Sequence, residues 1–149
     1  MEYQFNKIGI IGKFGAPTVG ETLLSLTHCL IDKKLEVFLD QDTAERHPEN
    51  QLPVVSRDEM GQRCDLAIVV GGDGSFLNAA RSLAQFDIPM LGVNLGRLGF
   101  LTDITPSQID IYMEEVLNGD FTEERRCLLQ SHILRDGESL AAGNALNDV

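Results

Sequence analysis

Asp65-Leu66-Ala67-Ile68-Val69-Val70-Gly71-Gly72-Asp73-Gly74-Ser75-Phe76-Leu77 reads as a strand, a glycine turn and the start of a helix. The apolar run Leu66 to Val70, β-branched at its last three positions, suits a strand buried on both faces. It stops at three glycines wrapped around one carboxylate. Gly71, Gly72 and Gly74 can take positive φ or admit close approach, so successive N–H groups can face one concavity while Ser75 opens the next helix. Asp73 repels phosphate. If the loop holds a nucleotide, Asp73 therefore faces a hydroxyl to be deprotonated or a metal that bridges to the phosphates. A turn closed by an Asx-type side-chain bond, with no ligand at all, accounts for the tetrapeptide equally well.

With 149 residues and 43% apolar composition the chain can bury one ordinary core, so one domain is expected, with a projecting or unfinished end. A net charge of −11, with twelve scattered Lys and Arg, argues against a nucleic-acid or anionic-membrane surface. An anionic substrate would need local compensation from glycine-turn amides, helix N-termini, Mg²⁺ or single arginines. Cys29, Cys64 and Cys127 are odd in number and lack CxxC spacing, which suggests neither a disulfide framework nor a zinc site. No other metal-ligating set stands out. The first seven residues, Met1 to Lys7, carry no apolar signal core, and no run reaches membrane-spanning length. A reducing, cytoplasmic location is expected.

From the amino end, Lys7-Ile8-Gly9-Ile10-Ile11-Gly12 is a short apolar strand emptying into a glycine-rich loop, Gly12 to Gly20, ahead of a helix from about Glu21 to Lys33. Two familiar phosphate motifs fail here. Gly9, Gly12 and Gly15 give GxxGxxG in place of the GxGxxG dinucleotide turn, and the Walker-like spacing from Gly15 to Thr22 has Glu21 where the phosphate-binding lysine belongs. The loop is therefore read as structural, or as a lid over a site formed elsewhere. Glu36 to Leu39 is a second strand; Asp40 and Asp42 after it suit a solvated turn better than a ribose-binding acid. His47 to Asn50 is irregular, and Ser56-Arg57-Asp58-Glu59 resembles a helix N-cap with acids in the first turn, opening a short helix to Arg63.

After the glycine turn, Phe76, Leu77, Ala80, Leu83 and Ala84 recur at helical spacing, so a helix is expected from Ser75 to Gln85 with its N-terminus over the turn. Asn78 lies early enough in that helix to reach the same site. Ile88 to Val93 is the next strand, running into a second glycine loop, Asn94 to Thr102. In an open parallel sheet ligands sit outside the carboxyl ends of strands, so the two loops can face each other across one crevice. There Asn94 can hydrogen-bond, Arg97 can meet phosphate, and Phe100 can stack on a base or plug the core. Pro106 to Asn118 reads as a helix stopped by Gly119. From Glu124 the pattern becomes strand, Asp136-Gly137 turn, strand, an antiparallel hairpin that needs a sheet to join. The expected fold is α/β, an open parallel sheet with flanking helices over residues 1–123, ending in the first strands of a β-rich second domain over residues 124–149.

Gly71-Gly72-Asp73-Gly74 after a buried strand, Asn94 to Thr102 after the next, and the terminal Asn147-Asp148 together resemble the bacterial NAD kinases, across essentially the whole chain. A lone GGDG is shared with phosphofructokinases and lipid kinases; three blocks in this order are far more specific. The resemblance implies a Rossmann-like N-terminal domain and phosphoryl transfer from ATP to the adenosine-ribose 2′-hydroxyl of NAD, giving NADP, with Mg²⁺. It implies Asp73 as proton acceptor, Gly74 beside it on the nucleotide with Gly71 and Gly72 in the cradle, Asn147 and Asp148 binding NAD, and Phe100 near the adenine. Asn78 stands where relatives often carry a basic residue. It further implies a C-terminal all-β domain beyond Val149 that completes the NAD site and the contacts of a homo-oligomer, so that this N-terminal portion has little activity alone. Two other readings stay open: a GGDG kinase acting on a sugar phosphate or lipid, and a non-catalytic nucleotide-binding domain.

Overall fold

The computed structural model describes residues 2–12, 18–95, 104–126 and 128–146. Five strands, β1 (Lys7–Gly12), β2 (Glu36–Asp40), β3 (Val54–Val55), β4 (Leu66–Gly71) and β5 (Met90–Asn94), form one parallel sheet in the order β3-β2-β1-β4-β5. The chain builds outward from β1 in one direction and then, through β4, in the other. The order therefore reverses between β1 and β4, which places a crevice at their carboxyl ends. β4 is buried along all six of its residues, as its unbroken apolar run predicts.

Side-chain alternation divides the core into two layers. Ile8 and Ile10 of β1, Leu39 of β2, and Ile68 and Val70 of β4 face helices α1 (Val19–Asp32) and α5 (Ile109–Leu117), meeting Leu23, Leu26, Leu30, Met113 and Leu117. Ile11, Phe38, Ala67 and Val69 face the opposite way onto α3 (Arg57–Arg63) and α4 (Asp73–Leu83), where Met60, Ala79 and Leu83 receive them. Full burial of each large aliphatic side chain contributes roughly 1.5–3 kcal/mol before conformational entropy is charged against it.

Local signals set the helix ends. Ser56 and Glu59 form a reciprocal capping box at the start of α3, the pairing that the sequence motif announces. Gly119, at φ 88°, takes the left-handed position after α5, and Asp120 N–H donates to the Glu115 carbonyl across it. After α1, Lys34 adopts the same conformation at φ 62°, a place where glycine is the usual residue. Asp65 joins the two central strands at their amino ends, its carboxylate accepting from Asn6 N–H at 3.0 Å and Lys7 N–H at 3.1 Å.

Two elements differ from the sequence expectation. Residues after β2 form a helix, α2 (Gln41–Arg46), and Asp40 is buried instead of solvated. Its carboxylate caps α2 through Thr43 N–H at 3.2 Å and pairs with Arg57 Nε at 2.7 Å, while Arg57 Nη1 reaches Ser82 Oγ at 2.7 Å. Asp42 is exposed. A polar segment is helical here because a buried, fully partnered carboxylate fixes its first turn. Beyond Glu124, β6 (Leu128–Arg135) and β7 (Glu138–Leu146) form the expected antiparallel hairpin, and Asp136 and Gly137 at φ 52° and 80° give it a two-residue turn of the primed type.

Candidate active site

β4 ends at Gly71, and α4 begins at Asp73, two residues earlier than the apolar periodicity indicates. Gly72 is the N-cap, extended at φ −129°, and offers no side chain to close the helix. The first α-helical bond runs from Phe76 N–H to the Gly72 carbonyl at 3.0 Å. The amides of Asp73, Gly74 and Ser75 thus precede the helical ladder and point out of the carboxyl edge of the sheet, with the positive end of the helix dipole behind them. This arrangement suits an anion or the polar edge of a nucleotide.

The glycines have a different reason from the one their identity first suggests. Neither Gly72 nor Gly74 has positive φ, so backbone strain does not require glycine at either place. A Cβ added to either would find no heavy atom within 4 Å. The fold itself therefore tolerates a larger residue. What glycine preserves is open space beside the backbone, which a ligand needs in order to lie directly on the turn.

Asp73, at the first helical position, is half-buried at the mouth of the turn. Asn78 is exposed on α4, four residues beyond Gly74 and so on the same helix face. Asn94 ends β5 in register with Gly71, and Leu95 N–H donates to the Gly71 carbonyl at 3.1 Å, so the loops after β4 and β5 do start side by side. Gly12 of β1 pairs with Val70 on the other flank of β4. The first glycine loop consequently departs from the switch point itself, not from a remote place; the motif tests miss it because strand adjacency is not written in local spacing. Gly12 N–H is held by Thr43 Oγ1 at 3.0 Å, which links that departure point to the Asp40–Arg57 network. Arg97, Phe100, Asn147 and Asp148 lie outside the described residues.

Among the described residues no group of three or more His, Cys, Asp or Glu is disposed to hold a metal ion. One carboxylate at a glycine turn matches the way Mg²⁺ is usually held in phosphoryl-transfer sites, by substrate phosphates with one or two protein oxygens. A cleft of about 370 Å³ lined by Phe5, Phe76, Ile88, Met90 and Phe121 lies toward the amino ends of β4 and β5, apart from this turn. Cys29 and Cys64 are thiols with pKa raised to about 11, chiefly by burial, with Asp110 adding to the effect at Cys29 and Asp65 at Cys64. They belong to the packing, not to the chemistry. No helix among the described residues is long and apolar enough to cross a membrane.

The sheet order, the switch-point crevice and the open glycine turn at a helix start define an α/β protein of the nucleotide-site class. A model of the ATP-NAD kinase N-terminal domain matches residues 8–121, and the chain belongs to that family. It is 51% identical over 145 residues to the NAD kinase of Teredinibacter turnerae, covering 97% of this chain and 50% of the relative. It is 50% identical over 146 residues to that of Marinobacter nauticus, covering 98% and 50%. The chain thus spans about half the length of these curated relatives. The yeast NADH kinase structure complexed with NADH superposes with a TM-score of 0.77 at 22% identity, over 94% of this chain and 46% of that one. An Archaeoglobus fulgidus NAD kinase in complex with ATP gives a TM-score of 0.61 at 22% identity, over 84% and 42%. Both structures share the fold.

Proposed function

We propose that this chain is the catalytic-aspartate half of an NAD kinase, transferring the γ-phosphoryl group of Mg-ATP to the 2′-hydroxyl of the adenosine ribose of NAD. The observation that carries the reading is the turn Gly71 to Gly74: a helix start aimed out of the switch point, one carboxylate, and empty space where two Cβ atoms would be. The 2′-oxygen attacks the γ-phosphorus, the bond to the β–γ bridging oxygen breaks, ADP leaves, and the hydroxyl proton passes to Asp73. Mg²⁺ on the triphosphate, with Asp73 the nearest protein oxygen in this reading, would neutralise charge on the phosphates when bound. Phosphoryl transfer asks a protein mainly for positioning and electrostatics, so a glycine cradle and one carboxylate suffice without a Walker lysine.

Gly71, Gly72 and Gly74 admit the nucleotide, Asn78 borders the same face, Phe100 lies near the adenine, and Asn147 with Asp148 binds NAD. The relatives' additional length supports a C-terminal domain, opening with the hairpin from residue 124, that completes the NAD site and carries homo-oligomer contacts. The reaction's soluble substrates and the unpaired cysteines support a cytoplasmic location.

The test is NADP formation from NAD and Mg-ATP by this chain and by a protein of the relatives' full length, with a sugar phosphate and a diacylglycerol as competing acceptors. Turnover of NAD by the longer protein, with little by this chain alone, is expected. Phosphorylation of a competing acceptor in place of NAD would overturn the substrate assignment, and nucleotide binding without turnover in the longer protein would favour a sensing domain.

A further inference from the structure

Asn94 is 4% exposed, although it closes the strand beside the turn that a ligand is read to occupy. Along β5, Val93 packs in the layer with α1 and α5, and Met90 packs against the layer beneath α3 and α4. Alternation therefore puts the Asn94 side chain on the α4 side. Along β4, Val70 belongs to the first layer and Val69 to the second, so Gly71 presents its missing side chain to that same side. A buried carboxamide thus lies next to a glycine directly under the start of α4.

The backbone fixes Asn94 from both flanks. Its N–H donates to the Ile104 carbonyl at 2.7 Å, Ile104 N–H donates to the Gly92 carbonyl at 3.3 Å, and Leu95 N–H donates to the Gly71 carbonyl at 3.1 Å. A buried amide is costly unless hydrogen-bonded, and no buried side-chain nitrogen or oxygen among the described residues lacks a partner. An apolar residue would fill a strand end in this layer without that requirement. The polar group is retained at a place where it touches the floor of the turn and not the open crevice, which separates Asn94 from the ligand-facing role that its loop suggests.

We propose that Asn94 is a positioning residue: through the Gly71 pairing it holds the floor of the turn at the register that sets Asp73 at the crevice. This rests on the kinase reading only for its catalytic consequence. The device itself concerns the order of the turn. A displacement of about an ångström at a reacting group costs on the order of 100-fold in rate, so even a small relaxation of the turn is visible in kcat.

The test has two arms. In the first, amide hydrogen exchange of the 149-residue chain is measured for the parent and for Asn94→Ala. The amides of Phe76 and Leu95, bonded across the turn, are expected to exchange roughly tenfold faster, while Leu39, bonded to Pro53 in the β2–β3 half of the sheet, keeps its rate. Equal acceleration at all three sites means a general loss of stability, and no acceleration means no role in the turn; either overturns the proposal. Should Asn94→Ala fail to fold, Asn94→Asp, which keeps the shape and loses the amide donors, is read by the same comparison. In the second arm, the same substitution in a protein of the relatives' length is expected to lower kcat roughly tenfold or more, with KM for NAD held within about threefold. Unchanged kcat in the folded variant overturns the catalytic consequence. Absence of turnover in the parent defeats the kinase reading instead, and the exchange arm still decides the place of Asn94.

Discussion

Replacing Gly74 with alanine separates the needs of the fold from those of the ligand. Gly74 is exposed in the first turn of α4, has no positive φ, and a Cβ built on it meets no heavy atom within 4 Å. Alanine in a helix is favoured over glycine by about 0.5–1 kcal/mol, and nothing in the structure opposes it. For a chain of this size each kcal/mol moves the melting temperature by about 2–4 °C, so Tm is expected to rise by about 1–4 °C. A nucleotide lying against the Gly74 backbone would meet the new methyl group. The resulting overpacking costs about 1–3 kcal/mol, a loss of roughly 5- to 150-fold in affinity. Scanning calorimetry of the free protein gives the first quantity and isothermal titration with NAD and with Mg-ATP gives the second. A variant that melts higher and binds more weakly fits the account. Higher stability with undiminished binding of both nucleotides would refute the idea that the glycines keep room for a ligand, and a lowered Tm would refute the reading of the local space.

Gly61 presents the opposite case: a Cβ there would lie 2.1 Å from the Phe86 ring, so Gly61→Ala is expected to destabilise by about 1–3 kcal/mol or more in urea unfolding. Gly9→Ala, whose Cβ meets the far end of the Met60 side chain at 2.6 Å, is expected to cost less because that chain can turn aside. The two described thiols, with pKa raised to about 11, hold about 300-fold less thiolate at neutral pH than a free cysteine, so iodoacetamide should alkylate the native protein slowly and the unfolded one quickly. The same shifts carry a sign for stability. Between about pH 9 and 11 the folded state keeps thiol protons that the unfolded state has lost, and Lys33, raised by its hydrogen bond to Glu114, acts in the same direction. Denaturant midpoints should therefore fall as pH rises through that window.

The central unit was legible because its signals are local: the Leu66 to Val70 run has strand length, the glycines end it, and Phe76, Ala80 and Leu83 show helical spacing. The capping box at Ser56 and the Asp136-Gly137 turn are equally local and appear where expected. What escaped is nonlocal. α2 has Thr43 as its one buried residue and so no apolar stripe; it exists because Asp40 is buried, capped and paired with Arg57. β3 has two residues and is defined by its pairing with Leu39 and Asp40. The adjacency of Gly12 to β4, and the burial of Asn94, follow from strand order, which no spacing within either loop encodes. Glycine at Gly71, Gly72 and Gly74 was correctly singled out, yet at Gly72 and Gly74 the reason proved to be empty space and not left-handed backbone.

The most direct test of the account is Asp73→Asn in a protein of the relatives' length that turns NAD over. Asparagine keeps the size and the place at the first turn of α4 and removes the proton acceptor. A general base contributes roughly 10²- to 10⁴-fold, so kcat for NADP formation is expected to fall by at least about 100-fold while NAD affinity and Tm stay close to those of the parent. Undiminished turnover by the folded variant would contradict the assignment of Asp73 as the group that takes the proton.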